Sequence, residues 1–188
     1  MPDPCLAFAP AQAFPARLAP QVHAVAERLG RDHLWQPLHF CSCVRLDGEE
    51  LRIPERVYYD AELLMAATRA GGAEGLIALC LGTRHHDGFV RERCLRRLLE
   101  AREHWIIPFV VRLAGEYVAQ IVAVIEEALP RLDGAAYGRF LRENPRFLAT
   151  TERRVVSYRY AYQAAGYTER GADPGSRVIA AFRRMALS

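Results

Sequence analysis

The stretch Thr83–Cys94 reads TRHHDGFVRERC and concentrates groups that bind metals or move protons. His85 and His86 are adjacent, Asp87 follows, and a dense run of arginines comes next. Imidazoles beside a carboxylate suit a divalent cation that activates water, the chemistry of a metal-dependent hydrolase. Such a site needs a further histidine upstream and an aspartate well downstream, converging on one ion. The nearest upstream histidine is His39, on an expected strand, and Asp133 falls in a loop after a helix. The competing reading is a corner between two helices, with Asp87 as the cap of the second. On that reading Val90 and Cys94 point inward, while Arg91, Arg93, Arg96 and Arg97 form the wet side of the helix. The two histidines then sit exposed at the corner.

Other residues carry weaker chemical signals. His39, Cys41 and Cys43 fall on one face of an expected strand and could hold zinc, with His33, His23 or Cys5 as the fourth ligand. Half-buried thiols under the helices are the alternative. A cysteine nucleophile needs a base or a helix N-terminus to lower its pKa. Cys94 lies mid-helix among leucines and Cys80 on an apolar face, so both read as core. No G-x-S-x-G, Walker loop or glycine-rich phosphate cradle occurs, and no cofactor or metal is expected. The segment RRVVSYRYAY interleaves Arg153, Arg154 and Arg159 with Tyr158, Tyr160 and Tyr162. That mixture can stack on and neutralise nucleic acid. It can equally form a protein-binding face, because Tyr and Arg are enriched at hot spots. A core tyrosine helix with snorkelling arginines is the third reading.

The chain has 188 residues, 51% of them hydrophobic and 25% charged, which suits one soluble domain over 1–188. The first twenty residues carry five of the eleven prolines and no basic start, so a loosely ordered arm is expected rather than a signal peptide. Five scattered cysteines with no export signal suggest reduced thiols in a cytoplasm. All 25 basic residues are arginine. GC-rich bacterial codon usage explains this without function; selection for bidentate oxyanion contacts is the alternative. Residues 139–188 hold ten arginines against four acids, a net of +6, while residues 1–138 carry −3. A basic C-terminal quarter suits an acidic partner. The overall +3 is too small to indicate nucleic acid by itself.

The elements that must position these groups follow from periodicity. Gln21–Leu29 is a short amphipathic helix closed by Gly30. LHFCSCVRL alternates, DGEE turns, and LRIPERVYY extends, which makes a β-hairpin with Pro54 confined to an edge. Residues 21–70 thus form a helix-plus-hairpin cap, and 73–188 a helical stack. Helices are expected over Ala61–Ala70, Ala73–Thr83, Asp87 to about Ala101, and from Ile107 with a break at Gly115. Tyr137–Arg142 is a short helix, Arg146–Gln163 a long one, 169–176 a loop and Arg177–Leu187 the last helix. Asp87–Arg91 and Glu92–Arg96 are acid-first pairs at i,i+4.

Asp87, Val90-Arg91, Cys94 and Leu98 resemble the second helix of a HEAT-type repeat. WIIPFVVRLAGEYVAQIVAVI looks like the next unit, with Pro108 and Leu113 on its first helix and Glu116, Val118 and Ile121 on its second. The match covers residues 73–129; residues 30–70 depart from it. The resemblance implies stacked antiparallel helical hairpins, and Asp87 and Arg91 as a structural ladder between repeats. The His86-Asp87 pair is similar to that of HD-type phosphohydrolases, but the spacing of the remaining ligands departs from that family. The whole also looks like small bacterial immunity proteins. The expected architecture is therefore mainly α and HEAT-like, with a small N-terminal β-hairpin. The expected function is non-catalytic binding of a partner protein such as a toxin, through Arg146, Arg153, Arg154, Tyr158 and Arg159. The alternatives are a nucleic-acid-binding HEAT-like protein and a metal-dependent hydrolase using His85, His86 and Asp87.

Overall fold

A computed structural model describes residues 9–30, 41–167 and 173–188. The chain divides into two compact units, Met1–Leu98 and Leu99–Ser188. It is mainly helical, with ten α-helices and one two-stranded antiparallel sheet among the described residues.

The first unit begins, in its described part, with two 3-10 turns, Pro10–Ala13 and Ala16–Leu18, leading into α1 (Ala19–Leu29). The expectation of a loose arm over 1–20 therefore fails from residue 9 onward. Proline presets φ for a tight turn and for the first turn of a helix. Here the prolines steer Ala13, Phe14 and Leu18 into buried positions. β1 (Cys41–Leu46) and β2 (Glu49–Pro54) form the expected hairpin, with Val44 opposite Leu51 and Cys41 opposite Pro54. Its loop is Asp47-Gly48, with φ of 52° and 85°. Positive φ at both central residues is what a type I′ turn requires, and it matches the twist of the strands. Val44, Leu46, Leu51 and Ile53 face the core, while Cys43 and Arg45 face out. Leu38 and Phe40 of the expected strand lie outside the described residues.

Three helices complete this unit: α2 (Ala61–Ala67), α3 (Gly72–Gly82) and α4 (Gly88–Leu98). The Asp60 side chain accepts from the Glu62 and Leu63 amides and so starts α2. α3 buries Ile77 through Gly82 without interruption and packs against α1, α2 and α4. A helix apolar on every side has to be central, because no face of it can be left to water.

The second unit is built around α5 (Ile107–Ala114), in which every residue is buried, Arg112 included. Pro108 occupies the first turn, as its missing N–H demands, and the helix stops at Gly115. α6 (Ala119–Ala128), α7 (Gly134–Glu143) and α8 (Pro145–Ser157) follow. α5 contacts α6, α7 and α8. The segment expected as one helix over Arg146–Gln163 is two, α8 and α9 (Arg159–Ala164), broken at Tyr158 with φ −91° and ψ 8°. Its inward stripe is Phe147, Thr151, Val155 and Tyr162, with Leu148 and Tyr158 only half-buried. Beyond the break Tyr162 is fully buried and its hydroxyl donates to the Glu116 carbonyl at 2.6 Å, which offsets the cost of burying the hydroxyl.

The last helix, α10, spans Pro174–Leu187 and starts three residues before the expected Arg177. Asp173 caps it, accepting from the Ser176 amide at 2.8 Å and the Ser176 hydroxyl at 2.7 Å, with Pro174 in the first turn. α10 packs on α6 and α7 and also reaches α5 and α8. In a repeat stack each hairpin meets only its neighbours; here the final helix returns to several earlier ones. The approach to α7 is close enough that a Cβ at Gly138 would lie 2.2 Å from the Met185 carbonyl oxygen. No helix among the described residues is long and apolar enough to cross a membrane.

Candidate functional site

The cluster TRHHDG closes α3 and opens α4, and its side chains turn inward. Arg84 is fully buried, as is His85, and only His86 is exposed. The strand-like segment after β2 runs beside this corner. The Val57 amide donates to the Arg84 carbonyl at 2.8 Å, and the His86 amide donates to the Val57 carbonyl at 3.1 Å. The Arg84 guanidinium reaches the same segment, donating from Nε to the Pro54 carbonyl at 2.9 Å and from Nη2 to the Glu55 carbonyl at 2.5 Å. A planar fork whose donors are fixed in one plane meets two adjacent carbonyls with less loss of freedom than the rotating donors of an ammonium. The corner therefore clasps residues 54–59 onto α3 and α4.

The expectation that both histidines sit exposed is corrected for His85. Its Nδ1 accepts from the Asp87 amide at 3.1 Å, and its Nε2 lies 2.9 Å from the Tyr59 carbonyl. A carbonyl can only accept, so Nε2 carries the proton and the ring is neutral. Both nitrogens are thereby occupied by main chain, and a metal bond would have to break one of them. Burial lowers the pKa of His85, outweighing the Tyr59 hydrogen bond that works the other way. His86 stacks on Tyr58 with ring centroids 5.2 Å apart and planes at 17°. Asp87 does cap α4, its Oδ1 accepting from the Phe89 amide at 2.8 Å.

Arg91 corrects a second expectation, since it is buried rather than on the wet side of α4. Its Nη1 donates to the His85 and His86 carbonyls at 2.9 Å and 2.7 Å. These carbonyls end the turn that follows α3, so Arg91 ties α4 back to the corner it springs from. Glu92 and Arg96 form the expected surface pair at 2.9 Å. Arg97 also turns back, donating to the Thr68 hydroxyl and carbonyl at 2.6 Å and 2.8 Å. The residue missed by sequence reading is Arg84. One more arginine in a lysine-free chain carries no local sign that two distant carbonyls await it.

The clasp makes the first unit acid-sensitive. The His85 pKa is below its ordinary 6.5 in the folded chain. Between the two values the unfolded chain binds the additional proton, so stability rises with pH across that window. Thermal unfolding should therefore move to lower temperature as pH falls through about 6.5, because the imidazolium cannot accept the Asp87 amide. In His85→Gln this component should be absent: the variant is less stable at neutral pH and flatter below it. Parallel pH profiles for the two proteins would refute the assignment.

Burial raises the pKa of the Cys80 thiol far above its ordinary value and that of Cys94 to about 11, so neither is a ready nucleophile. Cys41 is raised as well, by burial first and by Cys43 second. His39, His33 and Cys5 of the zinc reading lie outside the described residues. Among the described residues no three His, Cys, Asp or Glu side chains are grouped to hold a metal.

The basic segment of the second unit is arranged differently. Arg146 and Arg153 are exposed on α8, and Arg154, Tyr158 and Arg159 are half-buried around the break before α9. Arg153 donates to the Thr150 hydroxyl at 2.9 Å. Tyr158 packs edge-on against Tyr117, centroids 6.1 Å apart. Beside them stand Val156, Tyr117 and Tyr160, the last 85% exposed. Tyr162 does not join this face, since it points into the core. No match was found to any protein-family model, curated protein or solved structure.

Proposed function

We propose that the chain is a non-catalytic protein-binding module that presents the α8–α9 face to a partner. The observation that carries this reading is the exposure of Val156, Tyr117 and Tyr160 among Arg153, Arg154, Tyr158 and Arg159. Large aromatic groups left in water beside guanidiniums are the composition of interface hot spots, where a stacked or ion-paired anchor becomes fully desolvated. Arg146 extends the same helix toward its start. The basic character of this quarter favours an acidic partner surface, and charge complementarity would speed the encounter more than it would tighten the complex. A bacterial immunity or inhibitor role, with a toxin as partner, is the most concrete form of the proposal. A HEAT-like lineage for α3 to α6 belongs to the same proposal and rests on the Asp87, Val90-Arg91, Cys94 and Leu98 pattern.

The test is cross-linking capture from the native host, followed by mapping of the cross-linked residues. Capture should depend on α8 and α9, and Arg153→Glu with Tyr160→Ala should weaken it by about tenfold or more. Arg45→Glu, on the hairpin, should leave it intact. Equal capture by the wild-type and Arg153→Glu/Tyr160→Ala chains would place the interface elsewhere. Retention of nucleic acid with a steep salt dependence, in place of protein, would replace the reading.

A further inference from the structure

A second feature of the Leu99–Ser188 unit shares no residue with the α8–α9 face. Between α7 and α10 lies an open pocket of about 660 Å³. Arg139 and Arg142 reach it from α7 and Arg184 from α10, and no carboxylate side chain lines it. Its apolar wall includes Leu129, Pro130 and Met185. The arginines of this chain are otherwise often matched with acids. On α10 itself, Arg177 is bonded to Glu126, and Arg183 pairs with Glu152 at 2.5 Å. Arg184 is the next residue, yet its guanidinium and that of Arg139 carry no hydrogen bond or ion pair among the described residues. Arg142 makes one 3.3 Å contact, to the Ala186 carbonyl.

Three like charges around one concavity repel each other, and an anion placed between them relieves that repulsion. Guanidinium forks match the oxygens of phosphate and carboxylate. Even offset by the Ser188 carboxyl group, which also lines the pocket, the three guanidiniums leave a net of up to +2, which favours a dianion over a monoanion. The volume is that of a small-molecule site, and the apolar wall has no use for a bare ion. We propose that this pocket binds a small organic phosphate with an apolar or aromatic body, its phosphate on Arg139, Arg142 and Arg184 and its body against Pro130 and Met185. Gly138 contributes by letting α7 approach α10, since a Cβ there would meet both the Met185 carbonyl and the Arg142 guanidinium.

The probe is 1-naphthyl phosphate, titrated into the full chain by calorimetry, with 1-naphthol and inorganic phosphate as the two halves. Saturable binding is expected for the intact probe, with each half at least tenfold weaker, on the order of the loss of one charge-assisted contact. Arg139→Gln and Arg184→Gln should each weaken the probe by about tenfold. Both side chains are exposed, so unchanged thermal unfolding will show that the fold is intact. Arg17→Gln, in the other unit, should change nothing. Absence of saturation at low-millimolar probe would overturn the proposal, as would undiminished binding by the Arg139→Gln/Arg184→Gln double variant. Binding of inorganic phosphate as tight as the probe would remove the apolar half of the claim.

Discussion

Arg84→Met is expected to destabilise the Met1–Leu98 unit by about 2–5 kcal/mol, a large share of the roughly 5–15 kcal/mol that holds a domain together. The methionine fills much of the same volume, so the loss reports hydrogen bonds rather than a cavity. The Pro54 and Glu55 carbonyls each lose a guanidinium donor. Each buried acceptor left unsatisfied costs about 1–3 kcal/mol. Arg84→Lys keeps a charge but not the fork, so it should fall between the two. Urea unfolding followed by near-ultraviolet circular dichroism measures the difference. A change within about 0.5 kcal/mol, the scatter of ordinary surface substitutions, would show that the clasp contributes nothing. That outcome would reopen a chemical role for the cluster.

Gly138→Ala is expected to destabilise the Leu99–Ser188 unit, and here two effects oppose each other. Alanine in a helix interior is favoured over glycine by about 0.8–1 kcal/mol. Helix propensity alone therefore predicts a more stable protein. The added methyl, however, would stand 2.2 Å from the Met185 carbonyl oxygen. That atom is backbone, so α7 and α10 must move apart, and overpacking of this kind costs about 1–3 kcal/mol. Contact at backbone distance puts the cost at the upper end, and a net loss of about 1–2 kcal/mol should remain. Gly134→Ala supplies the control on the same helix, because its Cβ would lie 3.9 Å from the Met185 side chain, an ordinary contact. It should be neutral or slightly stabilising. Equal thermal midpoints for the two variants would mean that the helices are not held at this distance.

Where the determinants are local, the chain could be read directly. Asp87 acts as a cap because the donor it accepts from lies two residues away, at the Phe89 amide. Asp47-Gly48 turns because positive φ is cheap at those residue types. Pro108 starts α5 because proline lacks the one donor that a first turn does not use. The same logic applies to Asp173 and Pro174, whose order is a cap followed by a first-turn proline and which mark the start of α10. The loop expected over 169–176 therefore ends at this cap, and the helix starts at Pro174.

The histidine corner was the opposite case. Residue type and spacing were the same for a wet reactive cluster and for a buried clasp. The decision depended on Pro54, Glu55 and Tyr59, which stand 26 to 30 residues before their partners. Their carbonyls offer acceptors in a place that sequence spacing does not reveal. Arginine and histidine can be buried only where such acceptors wait, because an unpaired polar group in the interior is costly. For Tyr162 the helical stripe already points inward, but the acceptor for its hydroxyl, the Glu116 carbonyl 46 residues earlier, is equally invisible to spacing. The sequence alone determined which segments are helical, where most of them begin, and that charge is concentrated in the last quarter. The tertiary structure decided which arginines, histidines and tyrosines leave the surface, because burial of a polar side chain is settled by partners that only the folded chain supplies.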